Sequence, residues 1–318
     1  MIPVGNGHVR VRGKGAKLRF CVRSAAHRFI GWYGNALSNF ERLTNIRHWF
    51  PKLVYGLNQK PQTDLITKFG GLPWGLPKPL WPICAECGRP MHFLAQLEHS
   101  PPFFDFGERQ VLHAFICNFD SICSFWDTDS GANSVFLVDR SDMANCLTRY
   151  PVELVESEEI DGQFTTFLEL RLTGWETFED QLTLDQKPLF YDHDAFWKLD
   201  NDTAFPADFS LMKHNKAGPI PYWTGNGPSP RLEKTEIFFQ VTGDTMPVQD
   251  HPPSTPAMLS AEGTSWIWDG KRMTPQFGQT DIDGISFVNW ANFCSDGTGF
   301  FFREETSTGL RYGLEILR

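Results

Sequence analysis

Three short segments of the chain occur twice and in the same order, and this duplication limits the possible folds more than any other feature. The pairs are Lys68–Trp74 with Lys216–Tyr222, Phe93–Leu97 with Ile237–Val241, and Gly131–Leu137 with Gly297–Arg303. Repeats that each carry one apolar face bury those faces against each other. The sequence therefore predicts two pseudo-repeats, at about 66–150 and about 214–318, that form one globular body.

The composition favours β structure, and one segment has helical periodicity. Aromatic residues make up 14% of the chain, beside 22 prolines and 27 glycines, which favours strands and turns over a helix bundle. Between Trp32 and Leu57 the apolar residues recur at helical spacing, at Leu37, Phe40, Leu43, Ile46 and Phe50. We therefore predict an α+β fold, predominantly antiparallel β, with a helical N-terminal extension. The expected division is a basic arm and helix over residues 1–60 and a duplicated domain over residues 61–318.

Charge is distributed unevenly along the chain. The net charge is −9, yet residues 1–60 contain eleven Lys or Arg and a single acid, Glu41, so the remaining residues carry −19. An acidic body argues against direct binding of nucleic acid and favours a basic protein partner. Three interpretations of the basic arm stay open: it packs on the acidic body, it contacts an acidic partner, or it contacts RNA.

The sequence also bears on the compartment. It contains no apolar run of the roughly 20 residues that a membrane-spanning helix needs, and we expect no membrane partner. No apolar run of the signal-peptide type follows the start, which argues against secretion by that route. An Arg-rich, acid-free beginning also fits a mitochondrial presequence, but serine is scarce there and glycine and valine interrupt an early helix. The predicted compartment is the cytoplasm.

Four of the seven cysteines have the spacing of a metal site. Cys84 and Cys87 form a Cys-x2-Cys turn, in which both thiolates can face one zinc ion at about 2.3 Å. A second pair, Cys117 and Cys123, is separated from the first by 29 residues and begins at the end of a predicted strand. We predict a structural zinc ion bound by these four cysteines.

Three alternatives to this site stay open. His92 or His113 could replace one cysteine, although His113 is expected on a strand, one period away from the nearest cysteine. The four cysteines could also be thiols without metal, as is expected for Cys21, Cys146 and Cys294. A catalytic zinc is disfavoured because four thiolates leave no open position for water.

Several segments of the first repeat together resemble the YwqG-like family, which is related to the programmed cell death protein 2 group of ribosome-assembly factors. The segments that carry the resemblance are Gly70–Trp74 (GGLPW), Trp81-Pro82, Cys84–Met91 (CAECGRPM) and Phe93–Leu97 (FLAQL). The stretch from Cys117 to Asn133 is similar to that of zinc-binding bacterial members. The resemblance covers roughly residues 66–318 and departs at Pro219, where the first repeat has Gly71.

The resemblance implies a protein-binding role. The family has no established catalytic residues, its eukaryotic relatives resemble chaperones that hold a ribosomal protein, and bacterial members are linked to toxin neutralisation. We therefore expect a non-enzymatic protein-binding module, in a bacterial setting an immunity-type protein that neutralises a toxin. The alternatives are a chaperone for a ribosomal or RNA-associated protein and a metal-dependent enzyme.

Two further sets of residues are candidates for binding or support. Four tryptophans in predicted loop segments that contain proline or glycine are expected to be either partner anchors or lids on the core, and they are Trp74, Trp81, Trp126 and Trp223. Gln96 and Gln240 occupy equivalent places in the repeats, and a buried glutamine in a strand should hydrogen-bond to the backbone. The alternative for this pair is that it lines a central ligand or peptide groove.

Overall fold

The structure is a computed structural model, in which the chain divides after Arg42 into two units. The described residues all belong to the second unit, and they are 45–118, 123–151, 164–192, 194, 215–221, 223, 228–242, 246–249, 265–268, 273–276, 279–282, 285–288, 291, 293 and 297–317. Within these ranges, no helix has the length and apolar character needed to cross a membrane.

The described residues form sixteen strands and short 3-10 turns. The strands are β1 Asn45–Tyr55, β2 Lys68–Phe69, β3 His92–Glu98, β4 Gln110–Ile116, β5 Asn133–Asp139, β6 Phe164–Phe167, β7 Leu170–Thr183, β8 Lys216–Ala217, β9 Glu236–Thr242, β10 Met246–Val248, β11 Ser265–Trp268, β12 Met273–Gln276, β13 Gln279–Ile282, β14 Ile285–Val288, β15 Thr298–Thr306 and β16 Gly309–Leu317. The 3-10 turns are Gly56–Asn58, Lys78–Leu80, Arg140–Asp142, Leu184–Tyr191 and Leu232–Lys234.

Ten of the strands form one antiparallel path in the order β16-β15-β9-β8-β1-β7-β2-β3-β4-β5. The path curls nearly closed, so that its two end strands, β5 and β16, lie beside each other. Strands β10, β13 and β14 branch from β1, and β12-β11-β6 form a separate small sheet. The path is symmetric about its centre, between β1 and β7. Counted inward from the two ends, the equivalent strands are β5 and β16, β4 and β15, β3 and β9, β2 and β8, and β7 and β1.

The two central strands are exchanged between the repeats. Strand β1 precedes the first repeat in sequence, yet it pairs with β8 of the second. Strand β7 precedes the second repeat, yet it pairs with β2 of the first. Strands β1 and β7 also pair with each other along most of their length. The sheet of each repeat is therefore extended by the strand that precedes the other repeat.

The prediction of an α+β fold with a helical N-terminal extension is wrong for the residues described. The part of the predicted helix that the structure describes begins at Asn45, and it forms strand β1. The buried positions in β1 follow a two-residue period, at Ile46 and His48 and again at Pro51, Leu53 and Tyr55. The three-residue step from His48 to Pro51 interrupts this period and mixes the strand pattern with a helix-like one. The fold is mostly antiparallel β without an α-helix among the described residues, and residues 45–55 belong to the main sheet. Residues 1–44 lie outside the described residues.

The repeated segments occupy equivalent places in two cases out of three. Lys68 lies opposite Gln96 across β2 and β3, and Lys216 lies opposite Gln240 across β8 and β9. The third sequence match does not have this equivalence. It aligns residues of β5 with residues of β15, whereas the order of the sheet makes β5 equivalent to β16.

The interior between the repeats is filled by aromatic side chains. Phe69 pairs with the small Ala95 in the first repeat, whereas in the second repeat Ala217 pairs with the large Phe239. The two phenylalanine rings stack with their centroids 5.6 Å apart, and both side chains are fully buried. At each of these two pairs of equivalent positions, one repeat has a phenylalanine and the other has an alanine, so the two repeats together fill the interior.

Candidate metal centre

The four predicted cysteines lie together. The sulfur atoms of Cys84, Cys87, Cys117 and Cys123 are all within 4.8 Å of one another. The Sγ atoms of Cys87 and Cys117 are 3.6 Å apart, and those of Cys84 and Cys123 are 3.9 Å apart. Sulfur ligands about 2.3 Å from a tetrahedral zinc are about 3.8 Å apart, so this spacing fits a four-coordinate ion. Cys87 is half-buried and the other three cysteines are buried.

The first two ligands are held by a tight turn that follows directly from the sequence. The backbone N–H of Cys84 donates to the carbonyl of Arg89 at 2.8 Å, and the N–H of Gly88 donates to the carbonyl of Cys84 at 2.8 Å. Gly88 has a φ of +72°, a left-handed conformation that glycine adopts without strain. The turn therefore brings the side chains of Cys84 and Cys87 to one side.

The other two ligands come from the end of β4 and from the loop that leads into β5. The N–H of Cys117 donates to the carbonyl of Ala132 at 2.7 Å, which continues the pairing of β4 with β5. The loop is fastened to the Cys-x2-Cys turn by two bonds: Ala85 N–H donates to Gly131 O at 2.9 Å, and Ser124 N–H donates to a carboxylate oxygen of Glu86 at 2.9 Å. These contacts place Cys123 against the first pair.

The thiols have unequal proton affinities in this arrangement. Burial raises the pKa of Cys123 to about 12. Burial also acts to raise the pKa of Cys84, but hydrogen bonds from the backbone N–H groups of Cys87 and Glu86 outweigh it and lower that pKa. Backbone N–H groups that point at a sulfur stabilise the thiolate, which is the form that binds metal. The donor set therefore fits a thiophilic cation, since it comprises four sulfurs and a turn that favours the thiolate form.

Neither histidine considered as a replacement ligand belongs to the cluster. His92 accepts a hydrogen bond at Nδ1 from the N–H of Asn118, at 3.2 Å, and so supports the residue after Cys117. Burial lowers its pKa to about 3. His113 is fully buried on β4, where its ring stacks on Phe136. The role of these histidines is in packing and loop support.

Three of the four tryptophans considered as partner anchors are buried. Trp74 donates its backbone N–H to Gln96, Trp81 donates Nε1–H to the carbonyl of Met91 at 2.9 Å, and Trp223 donates Nε1–H to the carbonyl of Phe190. Their burial fits the alternative that they cover the core. Trp126 differs, because its side chain is 41% exposed.

The two predicted glutamines are buried, and a charged network beside one of them was not foreseen. Gln96 accepts from Trp74 N–H at 2.8 Å and donates to Ile66 O at 3.0 Å, while Gln240 is buried at the equivalent place on β9. Opposite Gln96 on β2, Lys68 is fully buried and donates to Glu169, which also accepts from Arg171 at 2.7 Å. The repeated Lys-x-Gly segment is the sequence signal that could have indicated a buried lysine.

Comparison of the chain with protein-family models, with curated proteins and with solved structures finds no match.

Proposed function

We propose that the protein is a non-catalytic protein-binding module whose scaffold is fixed by a structural zinc ion. The observation that carries this proposal is the set of four sulfurs within 4.8 Å of one another, three of them on buried cysteines. A metal ion held by four thiolates has no coordination position for a water or substrate, so it contributes stability and not catalysis.

Zinc is the ion that this donor set suits best. A tetrahedral set of four thiolates is typical of zinc or iron, and a Cys-x2-Cys turn is typical of structural zinc sites. Zinc would join three separate pieces of the first repeat here: the turn at Cys84 and Cys87, the end of β4, and the loop at Cys123. In a chain whose sheet nearly closes on itself, such a link stabilises the loop between β4 and β5.

The charge of the body supports a basic protein as the partner. Outside residues 1–60 the chain carries −19, which attracts a basic surface over about 10 Å at 0.1 M ionic strength. The YwqG-like resemblance of residues 66–318 supports the same class of function. Within this class, an immunity-type protein and a chaperone for a ribosomal protein differ in the partner that each binds.

The test has two measurements on full-length protein kept reduced. Elemental analysis should give about one zinc per chain, and X-ray absorption at the zinc edge should give four sulfur neighbours. Affinity capture from the native host should recover a basic protein, and its release should rise with salt. A metal with fewer than four sulfurs and a bound water, or recovery of RNA in place of a protein, would contradict the proposal.

A further inference from the structure

The two end strands of the ten-strand path lie beside each other without a ladder of backbone hydrogen bonds between them. One end of this seam is closed by residues 123–133, which we name the clamp loop. The N–H of Ile316 donates to the carbonyl of Trp126 at 3.0 Å, and the carbonyl of Leu314 accepts from Thr128 Oγ1 at 2.7 Å and from Asn133 Nδ2 at 3.2 Å. The clamp loop also carries Cys123, so the candidate metal centre and the closed end of the seam share one segment.

The other end of the seam is an open groove of about 420 Å³. Its walls are Ser134–Leu137 of β5 and Leu310–Gly313 of β16, with Thr128 and Asn133 at the clamped end. Leu310 is 51% exposed, which is the largest exposed fraction among the large hydrophobic residues described.

The pairing pattern shows which backbone groups of β5 face this groove. Cys117 N–H bonds to Ala132 O and Arg140 N–H bonds to Arg109 O, at the two ends of an unbroken register between β4 and β5. Along an antiparallel ladder, pairs that exchange backbone hydrogen bonds alternate with pairs that do not. Because Ala132 and Arg140 are in bonded pairs, the even-numbered residues of β5 direct their backbone N–H and C=O groups toward β4. The odd-numbered Val135 thus directs its N–H and C=O groups toward the groove.

The same argument applies to β16. Its register with β15 is unbroken, and the clamp loop binds the N–H of Ile316 and the carbonyl of Leu314. Even-numbered residues of β16 therefore face the seam, so Leu310 and Tyr312 direct their backbone groups into the open part. The groove is bounded by the edges of two strands, and such edges are templates for pairing with another strand.

Charges around the clamped end favour a basic occupant. Asp129 and Glu304 share Arg231 and Arg311 in one cluster of ion pairs, and Glu315 lies 3.9 Å from Arg231. Asp127 lies two residues before Asp129 in the chain, and with it the cluster has four carboxylates and two guanidiniums. Burial is the main cause that raises the pKa of Glu315; the charges of Asp127 and Asp129 add to it, while Ser229 and Arg231 oppose it. The excess of carboxylates over guanidiniums in the cluster is what would stabilise a cation placed here.

We propose that this groove binds an extended segment of a basic partner protein by strand addition, with apolar residues alternating with Lys or Arg. The backbone of the segment pairs with the free edges at Val135, Leu310 and Tyr312. Its apolar side chains contact Leu310 and the half-buried wall of β5, and its basic side chains lie toward the acidic clamped end. This inference rests on the proposed protein-binding function and adds the place and the chemistry of the contact.

The test titrates isotope-labelled full-length protein with two capped synthetic peptides, one of alternating lysine and valine and one of alternating glutamate and valine. The lysine peptide should shift the backbone amide signals of Val135, Leu310 and Tyr312. The glutamate peptide should bind at least about tenfold more weakly. No shift at these amides, or equal binding of the two peptides, would overturn the proposal.

A pair of variants separates backbone pairing from side-chain contact. Leu310→Pro removes an N–H that faces the groove, whereas Leu310→Ala keeps it and removes the exposed side chain. The proline variant should lose at least about tenfold more affinity than the alanine variant, and equal losses would refute strand addition. Val135→Pro and Val135→Ala repeat the comparison on the opposite wall, in case one proline variant unfolds.

The same variants distinguish a failure of this inference from a failure of the proposed function. If Leu310→Pro still captures the basic host protein with unchanged affinity, the groove is not the docking site while the protein-binding function stands. If the unaltered protein captures no protein and binds neither peptide, both proposals fail.

Discussion

The Nζ of Lys68 lies 2.8 Å from Oε2 of Glu169, although 101 residues separate them, and both side chains are buried. Burial lowers the pKa of Lys68, and Glu169 offsets only part of that effect. Burial acts to raise the pKa of Glu169, but the charges of Lys68 and Arg171 outweigh it and hold that pKa below its usual value. The Glu169 carboxylate thus pairs with two cations, Lys68 and Arg171. Lys68, in contrast, pairs with one carboxylate among the described residues, that of Glu169.

This asymmetry predicts unequal costs for the two halves of the pair. Glu169→Gln leaves a buried ammonium without a counter-charge and should destabilise the fold by about 3–5 kcal/mol. Lys68→Met leaves the carboxylate with Arg171 and should cost less, about 1–3 kcal/mol. Urea unfolding of both variants at neutral pH measures the difference. Equal costs, or a larger cost for Lys68→Met, would contradict the described network.

Stability should fall in mildly acidic solution, because His113 is buried in its neutral form. Burial, with a smaller contribution from the charge of Lys68, lowers the pKa of His113 from 6.5 to about 4. The unfolded chain therefore binds a proton between pH 6.5 and pH 4 that the folded protein does not, and stability declines as the pH falls through that window. The contribution of His113 to this decline is at most about 3 kcal/mol.

The sheet itself offers a matched variant for this test. Phe300 lies opposite Gln240 as His113 lies opposite Gln96, so phenylalanine already occupies the equivalent position of the second repeat. His113→Phe should stay folded and should reduce the slope of unfolding free energy against pH between 6.5 and 4. Some slope should remain, since the pKa of buried His92 is also lowered, to about 3. An unchanged slope would show that His113 does not titrate in this way.

Loss of one predicted zinc ligand should destabilise the whole unit. Cys84→Ser removes a buried sulfur from the four-cysteine cluster, and we expect loss of the metal and at least about 3 kcal/mol of stability. The control is Cys146→Ser, because Cys146 is exposed and outside the cluster, and it should change stability by less than about 0.5 kcal/mol. Zinc content and thermal melting of both variants are the measurements. Equal melting temperatures would reject a structural metal.

Neither repeat should fold alone, because the two share one aromatic core and because the second repeat pairs with β1, which lies on the first fragment. A chain cut between residues 192 and 215 separates Phe69 from its stacking partner Phe239 and β1 from β8. Each fragment should be insoluble or lack cooperative unfolding when it is expressed alone. Co-expressed fragments should associate into a complex that unfolds cooperatively. A soluble fragment 43–192 with its own sharp melting transition would show that the first repeat, which keeps both β1 and β7, does not need the second repeat to cover its core.

The sequence was informative where a pattern is local. The Cys-x2-Cys turn needs only the conformation of Cys84–Gly88, and its approach to Cys117 and Cys123 could be anticipated from the end of a strand. Gly70 and Gly218 are repeated because both have positive φ, and a Cβ at Gly70 would lie 2.2 Å from the carbonyl of Leu168. The turn conformation and the positive φ values are set within a few residues, so the sequence displays them directly, whereas the close approach of Gly70 to Leu168 depends on distant pairing.

What could not be predicted depends on distant pairing. The spacing of Ile46 and Phe50 is helical, but β1 is determined by its hydrogen bonds to β7 more than a hundred residues later. Pro51 lies within β1, between Trp49, which pairs with β8, and Leu53, which pairs with β10, so its missing N–H is not needed for a ladder bond to either strand. The burial of Trp74 and Trp81 likewise follows from packing that no local pattern records.

The exchange of β1 and β7 sets the order of events while the ribosome makes the chain. When Tyr55 has left the exit tunnel, its partner Leu170 has not yet been synthesised. At about 5–20 residues per second, the nascent β1 waits for roughly ten seconds before its ladder can form. Strand β2 waits as well, since Lys68 pairs with Arg171. The first repeat therefore leaves the ribosome with unpaired strands in the middle of its sheet, and synthesis must reach β7 before the centre of the molecule can close.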